Sequence, residues 1–351
     1  HAYIERLKNF PAAFDAIIEG VKLREQNRII PPKFVFEKVM ESSQNIVKGK
    51  PFSNSLESSP LLQDFKQKVE ALKLTPEIER KLIKDAEAAL LNYVKPAYEK
   101  LIAKMEDQQQ RATTEQGAWK FPKGEAFYAT RLRRITTLDL NAHEIHQIGL
   151  SEVARIHGEM EKIKVQVGFE SSLQDFFEFM RTDPQFYFLN TPEGKGEYLN
   201  RTTGILERID RRLEDLLNVK PQADLIVKAV EPFHDKSAKK AFYLRPALDN
   251  SRPGIFYVNL HDMATMPVYQ SEAIAYNFGI PGKHLQQSIA QEQTNLPMFR
   301  KYKSYKAYVE GWGLYSTLFP KEIGLYEDLY SDFGRLALEL WRSCHLVVDT
   351  G

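Results

Sequence analysis

The sequence predicts a mainly α protein: a large helical body with a small two- or three-stranded β-sheet attached to it. Three observations support that expectation. Apolar residues recur at intervals of three and four along most of the chain. Pro and Gly punctuate those runs where helices start and stop. β-prone residues, by contrast, crowd into the stretch between Leu225 and Val258. At 351 residues the chain can bury a large core, as one helical domain over residues 1–351 or as two intimate ones. Residues 220–262 read as a small β-containing insertion, and residues 268–351 as helices that hold the motifs described below.

The first helical run holds Ile4, Leu7, Phe14, Ile17, Ile18 and Val21, with Pro11 marking a break or kink. Pro31–Pro32 opens a second helix through Phe36, Val39 and Met40, ending near Lys48–Gly49. The Ser-rich stretch from Pro51 to Pro60 is a loop. Thr75, Pro76 and Glu77 then offer a capping hydroxyl, a proline at the first helical position and a first-turn acid. Beyond them Ile78, Leu82, Ala86, Leu90, Val94 and Tyr98 recur every four residues, which predicts one face of a long helix bent at Pro96. Residues 117–124 form a loop. Asn141 and Glu144 make a capping-box-like start for a helix through Ile145, Ile148, Val153, Ile156 and Met160. Further helices are expected near residues 171–181 and 192–217. Short β-prone runs follow at 225–230, 241–243 and 255–258, with a turn by composition over residues 249–254. After Pro267 the chain returns to helix near 268–278, 282–293, 303–318 and 332–349.

Composition narrows function by exclusion. The balance of 48 Lys and Arg against 47 Asp and Glu leaves no net field to favour nucleic acid or an anionic membrane. No apolar run reaches the roughly 20 residues of a membrane span. No signal peptide is evident, although an opening at His1 also fits a mature or trimmed chain. Cys344 is the single cysteine, so no intrachain disulfide can form. That fits a reducing compartment, and equally a periplasmic protein without disulfides.

Among the histidines, His143-Glu144-Ile145-His146 looks like a shortened zinc motif, but its two rings are three residues apart where HExxH needs four. Glu144 already has a capping role. His157, His234 and His261 stand alone. The informative segments are Ser271-Glu-Ala-Ile-Ala-Tyr-Asn-Phe-Gly-Ile-Pro-Gly-Lys-His-Leu-Gln286 and Val309-Glu-Gly-Trp-Gly-Leu-Tyr-Ser316. They resemble the bacterial domain-of-unknown-function 885 family, whose members commonly read HExxPGHHLQ and then EGWxLY. Gly124 to Tyr128 with Thr136-Thr137, His143 to Val153, Tyr243-x-x-Pro246, Ser251 to Gly254, Tyr257 to Asn259, Leu340 to Arg342 and Leu346 to Gly351 match the same pattern. The resemblance therefore covers most of the chain. It implies a zincin-like helical fold and metal-dependent peptide hydrolysis, with zinc as the expected cofactor. It also implies a longer protein, since such members continue past Asp-Thr-Gly and often begin earlier, and it leans towards a periplasmic or cell-envelope location.

In such a motif two neutral imidazoles and a carboxylate hold a metal with an open position, and the Glu beside the first His takes a proton from bound water. Carried onto this chain, the first His falls on Asn277, the general-base Glu on Phe278, and the His after Pro-Gly on Lys283. His284 and the Glu of EGW, Glu310, are kept. Asn is a poor zinc ligand, Phe accepts no proton, and an ammonium binds no metal. The expectation is a site without metal, in which Lys283 and Glu310 form an ion pair where the metal would sit. The plainer alternatives are a solvent-facing Lys283, a core His284 bonded to backbone, Glu310 as a buried acceptor at a helix start, Trp312 and Tyr315 as core, and Arg342 and Asp349 in a structural network.

Three functional readings follow. The favoured one is a degenerate relative of a zinc peptidase that keeps a cleft for a peptide or small-molecule ligand along the sheet edge. Tyr257, Asn259, Tyr269, Asn277, Lys283 and Tyr315 are its candidate substrate-binding residues. The second is a working hydrolase with altered chemistry, using His284 and Glu310 as base and orienter; Ser271, Ser288 and Cys344 lack a nucleophile's context. The third is a structural or scaffolding protein.

Overall fold

A computed structural model describes residues 1–213, 217–231, 239–249, 251–302 and 304–351. It has the expected class, mainly helical with one small sheet of three strands. The chain divides into two compact units, His1–Tyr128 and Ala129–Gly351. His234, Asn250, residues 214–216 of the expected 192–217 helix and the first residue of the expected 303–318 helix lie outside the described residues.

The first unit is built from α1 (Ala2–Lys8), α2 (Phe10–Gln26), α3 (Lys33–Ile46), α4 (Pro60–Ala71), α5 (Pro76–Ala89) and α6 (Lys95–Gln109), and the chain leaves it through α7 (Gly124–Thr136). Its core gathers Ile4, Leu7, Leu62, Phe65, Val69, Leu82, Ala86, Leu90 and Val94. The break foreseen at Pro11 falls at Asn9, with Pro11 inside the first turn of α2, where its missing N–H is no loss. The bend foreseen at Pro96 is a π-helical turn over Leu90–Val94. A proline ring clashes with the carbonyl four residues back, and a wider turn directly before it relieves that clash. Ile17 of α2 and Val39 of α3, placed by period on apolar faces, are exposed, and two details of α5 also differ from expectation. Thr75 sits at the N-cap of α5 but its hydroxyl makes no capping bond. Ile78, placed by period on the apolar face, is exposed at the outset of the helix.

The second unit contains α8 (Ala142–Gln166), α9 (Leu173–Thr182), α10 (Pro192–Leu213), the strands β1 (Leu225–Ala229), β2 (Ala241–Leu244) and β3 (Gly254–Val258), and then α11 (Ser271–Phe278), α12 (Lys283–Glu292), α13 (Met298–Tyr302), α14 (Lys306–Tyr315), α15 (Phe319–Glu322) and α16 (Leu329–Thr350). The Asn141–Glu144 capping box forms in full, which gives the shortened zinc-like motif its structural explanation. β3 is the central strand, parallel to β1 and antiparallel to β2. Its side chains are almost wholly buried, and its Phe256 packs into a core with Tyr198, Ile209, Tyr276 and Leu285. A second core, rich in Phe, lies around Phe176, Phe186, Phe333 and Met160.

Candidate functional site

The motif segments meet at the turn between α11 and α12. Gly279 and Gly282 allow that turn: a Cβ on Gly282 would lie 2.1 Å from the Asn277 carbonyl oxygen, so only glycine lets the two helices approach this closely. The approach places Asn277, the last polar residue of α11, beside Lys283, the first residue of α12. Gly313 of α14 faces both, since a Cβ there would lie 3.2 Å from Asn277 Oδ1 and 3.3 Å from Lys283 Cε.

Lys283 is buried, with 9% of its side chain exposed, and its Nζ donates to Glu310 Oε2 at 2.8 Å. The ion pair expected from the motif is therefore formed, and the solvent-facing alternative for Lys283 is not what the structure shows. The ammonium also sits 4.4 Å from the centroid of the Phe278 ring, a cation–π contact. Phe278 in turn stacks on Phe256 of β3 at 5.7 Å. Burial lowers the affinity of Lys283 for its proton, opposed in part by Glu310. Glu310 is half-exposed and reaches a second cation, Arg342 Nη2 of α16, at 3.8 Å. Asn277 is buried, and its Oδ1 has no hydrogen-bond partner among the described residues.

His284 points the other way, towards the sheet. Its Nε2 lies 3.1 Å from the Ala223 carbonyl oxygen, so it donates there. Nδ1 is then the acceptor of a hydrogen bond donated by the Tyr243 hydroxyl at 2.9 Å. Ser288 Oγ lies 3.3 Å from the same nitrogen. Gly254 of β3 makes room for this pair, because a Cβ would fall 2.6 Å from Nδ1. Burial pushes the His284 pKa down to about 4 and that of the Tyr243 phenol up to about 12.

The remaining candidates are dispersed. Tyr257 of β3 stacks on Phe242 at 4.8 Å and its hydroxyl lies 3.5 Å from Glu231. Asn259 follows the strand and accepts from the His261 amide at 3.1 Å. Tyr269 is buried against Phe186 in the Phe-rich core. Tyr315 is exposed and lies beside Trp312, whose indole donates to the Pro281 carbonyl at 2.9 Å. Asn277, Lys283 and Glu310 thus come together, while Tyr257 and Tyr269 serve other surroundings. Tyr243 and Gly313 were not singled out by residue chemistry. Tyr243 stood in the matched Tyr-x-x-Pro motif, and nothing in the sequence marks Gly313 beyond its place in the EGW segment.

Two clefts flank α12. One, of about 670 Å³, is lined by Leu206 and Asp210 of α10, Ala223, Leu225 and Val227 at β1, and His284. The other, of about 660 Å³, lies between α12, α13 and α14. The donor set at the motif itself, an amide, an ammonium and one carboxylate, does not fit a zinc ion.

The family described as bacterial protein of unknown function (DUF885) matches residues 1–351. No curated protein shows significant sequence similarity to the chain. Among solved structures, a Colwellia psychrerythraea protein described as a lipoprotein superposes with a TM-score of 0.94 at 31% identity, over 99% of this chain and 59% of its own. A Shewanella oneidensis protein, described as a lipoprotein of unknown function, shares the fold at a TM-score of 0.62 and 15% identity, over 99% of this chain and 60% of its own.

Proposed function

This chain belongs to the DUF885 family of bacterial proteins of unknown function, and we propose that it is a metal-free, peptide-binding member of that family. The observation that carries the reading is the outer edge of β1. Gly254 N donates to the Asp224 carbonyl and Val230 N to the Val258 carbonyl. Main-chain groups alternate in direction along a strand, so residues 224, 226, 228 and 230 face β3 and those of Leu225, Val227 and Ala229 face outward. No strand among the described residues pairs with that edge, and it lines the 670 Å³ cleft. An extended peptide can satisfy it by adding a strand, without any catalytic group.

Two features favour binding over hydrolysis. The cationic position near Glu310 is filled by a tethered ammonium, and both His284 nitrogens are engaged by Ala223 and Tyr243. A base needs a free lone pair within reach of the proton it removes. The Colwellia psychrerythraea neighbour's description as a lipoprotein supports a cell-envelope location.

Val227→Pro tests the reading, because it removes an outward N–H while leaving the β1–β3 bonds in place. Binding of a fluorescent peptide library, followed by anisotropy, is expected to weaken at least tenfold in the folded variant. Unchanged binding would remove β1 from the account, and wild-type protein that binds no peptide would end it.

A further inference from the structure

The second cleft, between α12, α13 and α14, has a chemistry that the β1 edge does not explain. Arg245, Arg300 and Lys301 line it, and no carboxylate does among the described residues. Neither Arg300 nor Lys301 has an ion-pair partner among the described residues. The whole chain is almost neutral, with 48 basic against 47 acidic residues, so this excess is local and not a consequence of a basic protein.

The rim is held in place. Arg245 donates to Gln287, to the Lys301 and Tyr302 carbonyls at 3.3 and 3.1 Å, and to Ser304 at 3.3 Å. One guanidinium thereby ties the strand β2 side of the cleft to α12 and to the α13 segment. On the wall, Gln286 is 8% exposed. Its Nε2 donates to the Tyr308 carbonyl at 3.2 Å, and its Oε1 is buried without a hydrogen-bond partner among the described residues. A buried acceptor left unmet is unfavourable, so an N–H supplied by a ligand would be worth most at this point. The apolar part of the wall comes from Ile289, Leu296 and Phe299.

We infer that this cleft binds the carboxylate of a peptide, with a peptide N–H reaching Gln286 Oε1 and an apolar side chain on Phe299 and Leu296. The inference rests on the peptide-binding reading and adds the group recognised. The carboxylate belongs either to the chain terminus or to an acidic side chain. Guanidinium and ammonium groups recognise both alike.

The test uses titration calorimetry with four N-acetylated hexapeptides of Ala and Phe: a free acid, its C-terminal amide, the amide with one Glu, and the amide with one Gln. A free acid that binds at least tenfold tighter than its amide identifies the terminus as the source. Tighter binding of the Glu amide than the Gln amide identifies the side chain. In either case affinity falls with salt, and the double substitution of the exposed Arg300 and the half-buried Lys301, Arg300→Glu with Lys301→Glu, abolishes the preference. Gln286→Leu, in protein shown to be folded by circular dichroism, weakens all four peptides. Equal affinity for all four overturns the inference. So does a preference that survives the double substitution. Binding that is sensitive to Val227→Pro and indifferent to the double substitution leaves the β1 reading standing and removes this one; the reverse pattern removes the β1 reading alone.

Discussion

A lysine ammonium with so little of its side chain in water is unfavourable unless other groups replace the lost hydration. Lys283 has two replacements, the Glu310 carboxylate at 2.8 Å and the Phe278 ring at 4.4 Å. Glu310 is itself half-exposed, so solvent screens part of the attraction and the pair belongs between surface and buried limits. In a double-mutant cycle of Lys283→Met and Glu310→Gln, denaturant unfolding is expected to give a coupling energy of about 1 kcal/mol. A coupling near zero would reduce the pair to a surface contact. His284 gives a pH dependence. Its folded pKa of about 4 lies below the unfolded value of 6.5, so the unfolded chain takes up the proton first on acidification. The stability that depends on a neutral ring is complete above pH 6.5 and is lost as pH falls towards 4. It amounts to about 3 kcal/mol from a shift of this size. Thermal unfolding between pH 7 and 4 should show this loss, and His284→Gln should flatten the slope in that window. An equal slope in the variant would assign acid sensitivity to other groups. The Lys283–Glu310 pair was legible in the sequence, because two motifs with fixed spacing named both partners. The His284–Tyr243 bond was only half legible: a core histidine bonded to backbone was foreseen, while Tyr243 lies 41 residues away on β2 and no local pattern joins the two.

At the scale of elements, the chain was readable where period and caps agree. The Asn141–Glu144 start and the three β-prone runs have clear local causes. Elements of four or five residues, α13 and α15, were not separated, since they are too short to show a period. Packing between elements was less readable still. Gly334 looks, in sequence, like a weak point in the last helix. In the structure a Cβ there would lie 2.0 Å from the Tyr269 carbonyl oxygen. Glycine thus lets α16 lie directly on the short turn that precedes α11, the helix that carries Asn277. Backbone cannot yield as a flexible side chain does, so Gly334→Ala is expected to destabilise by about 3 kcal/mol, despite alanine's better helix propensity. Urea unfolding would measure it. A neutral or stabilising result would mean that α16 shifts freely on its neighbour.

Over the whole molecule, the resemblance in sequence and the family match across residues 1–351 agree on the family, and the Colwellia psychrerythraea protein superposes on the same mainly helical fold. The chain spans 59% of that protein's length. The fold has accommodated Asn277, Phe278 and Lys283 together, and their placements are physically coupled. Lys283 needs Glu310 and the Phe278 ring, and Gly313 leaves room for both Lys283 and Asn277. If this set replaces a metal centre, reverting one member should fail where reverting all three succeeds. Lys283→His alone removes the internal cation but leaves an amide and a phenyl ring around Glu310, a donor set too poor for zinc. Asn277→His, Phe278→Glu and Lys283→His together restore two imidazoles and a carboxylate around the half-exposed Glu310. The measurement is zinc content by mass spectrometry after loading and desalting, on protein shown to be folded by circular dichroism. Background metal is expected for the parent and the single variant, and close to one zinc per chain for the triple variant. Stoichiometric zinc in the parent would overturn the metal-free reading. Background zinc in a folded triple variant would mean that Lys283 and Glu310 mark a site this chain never shared with a metal centre.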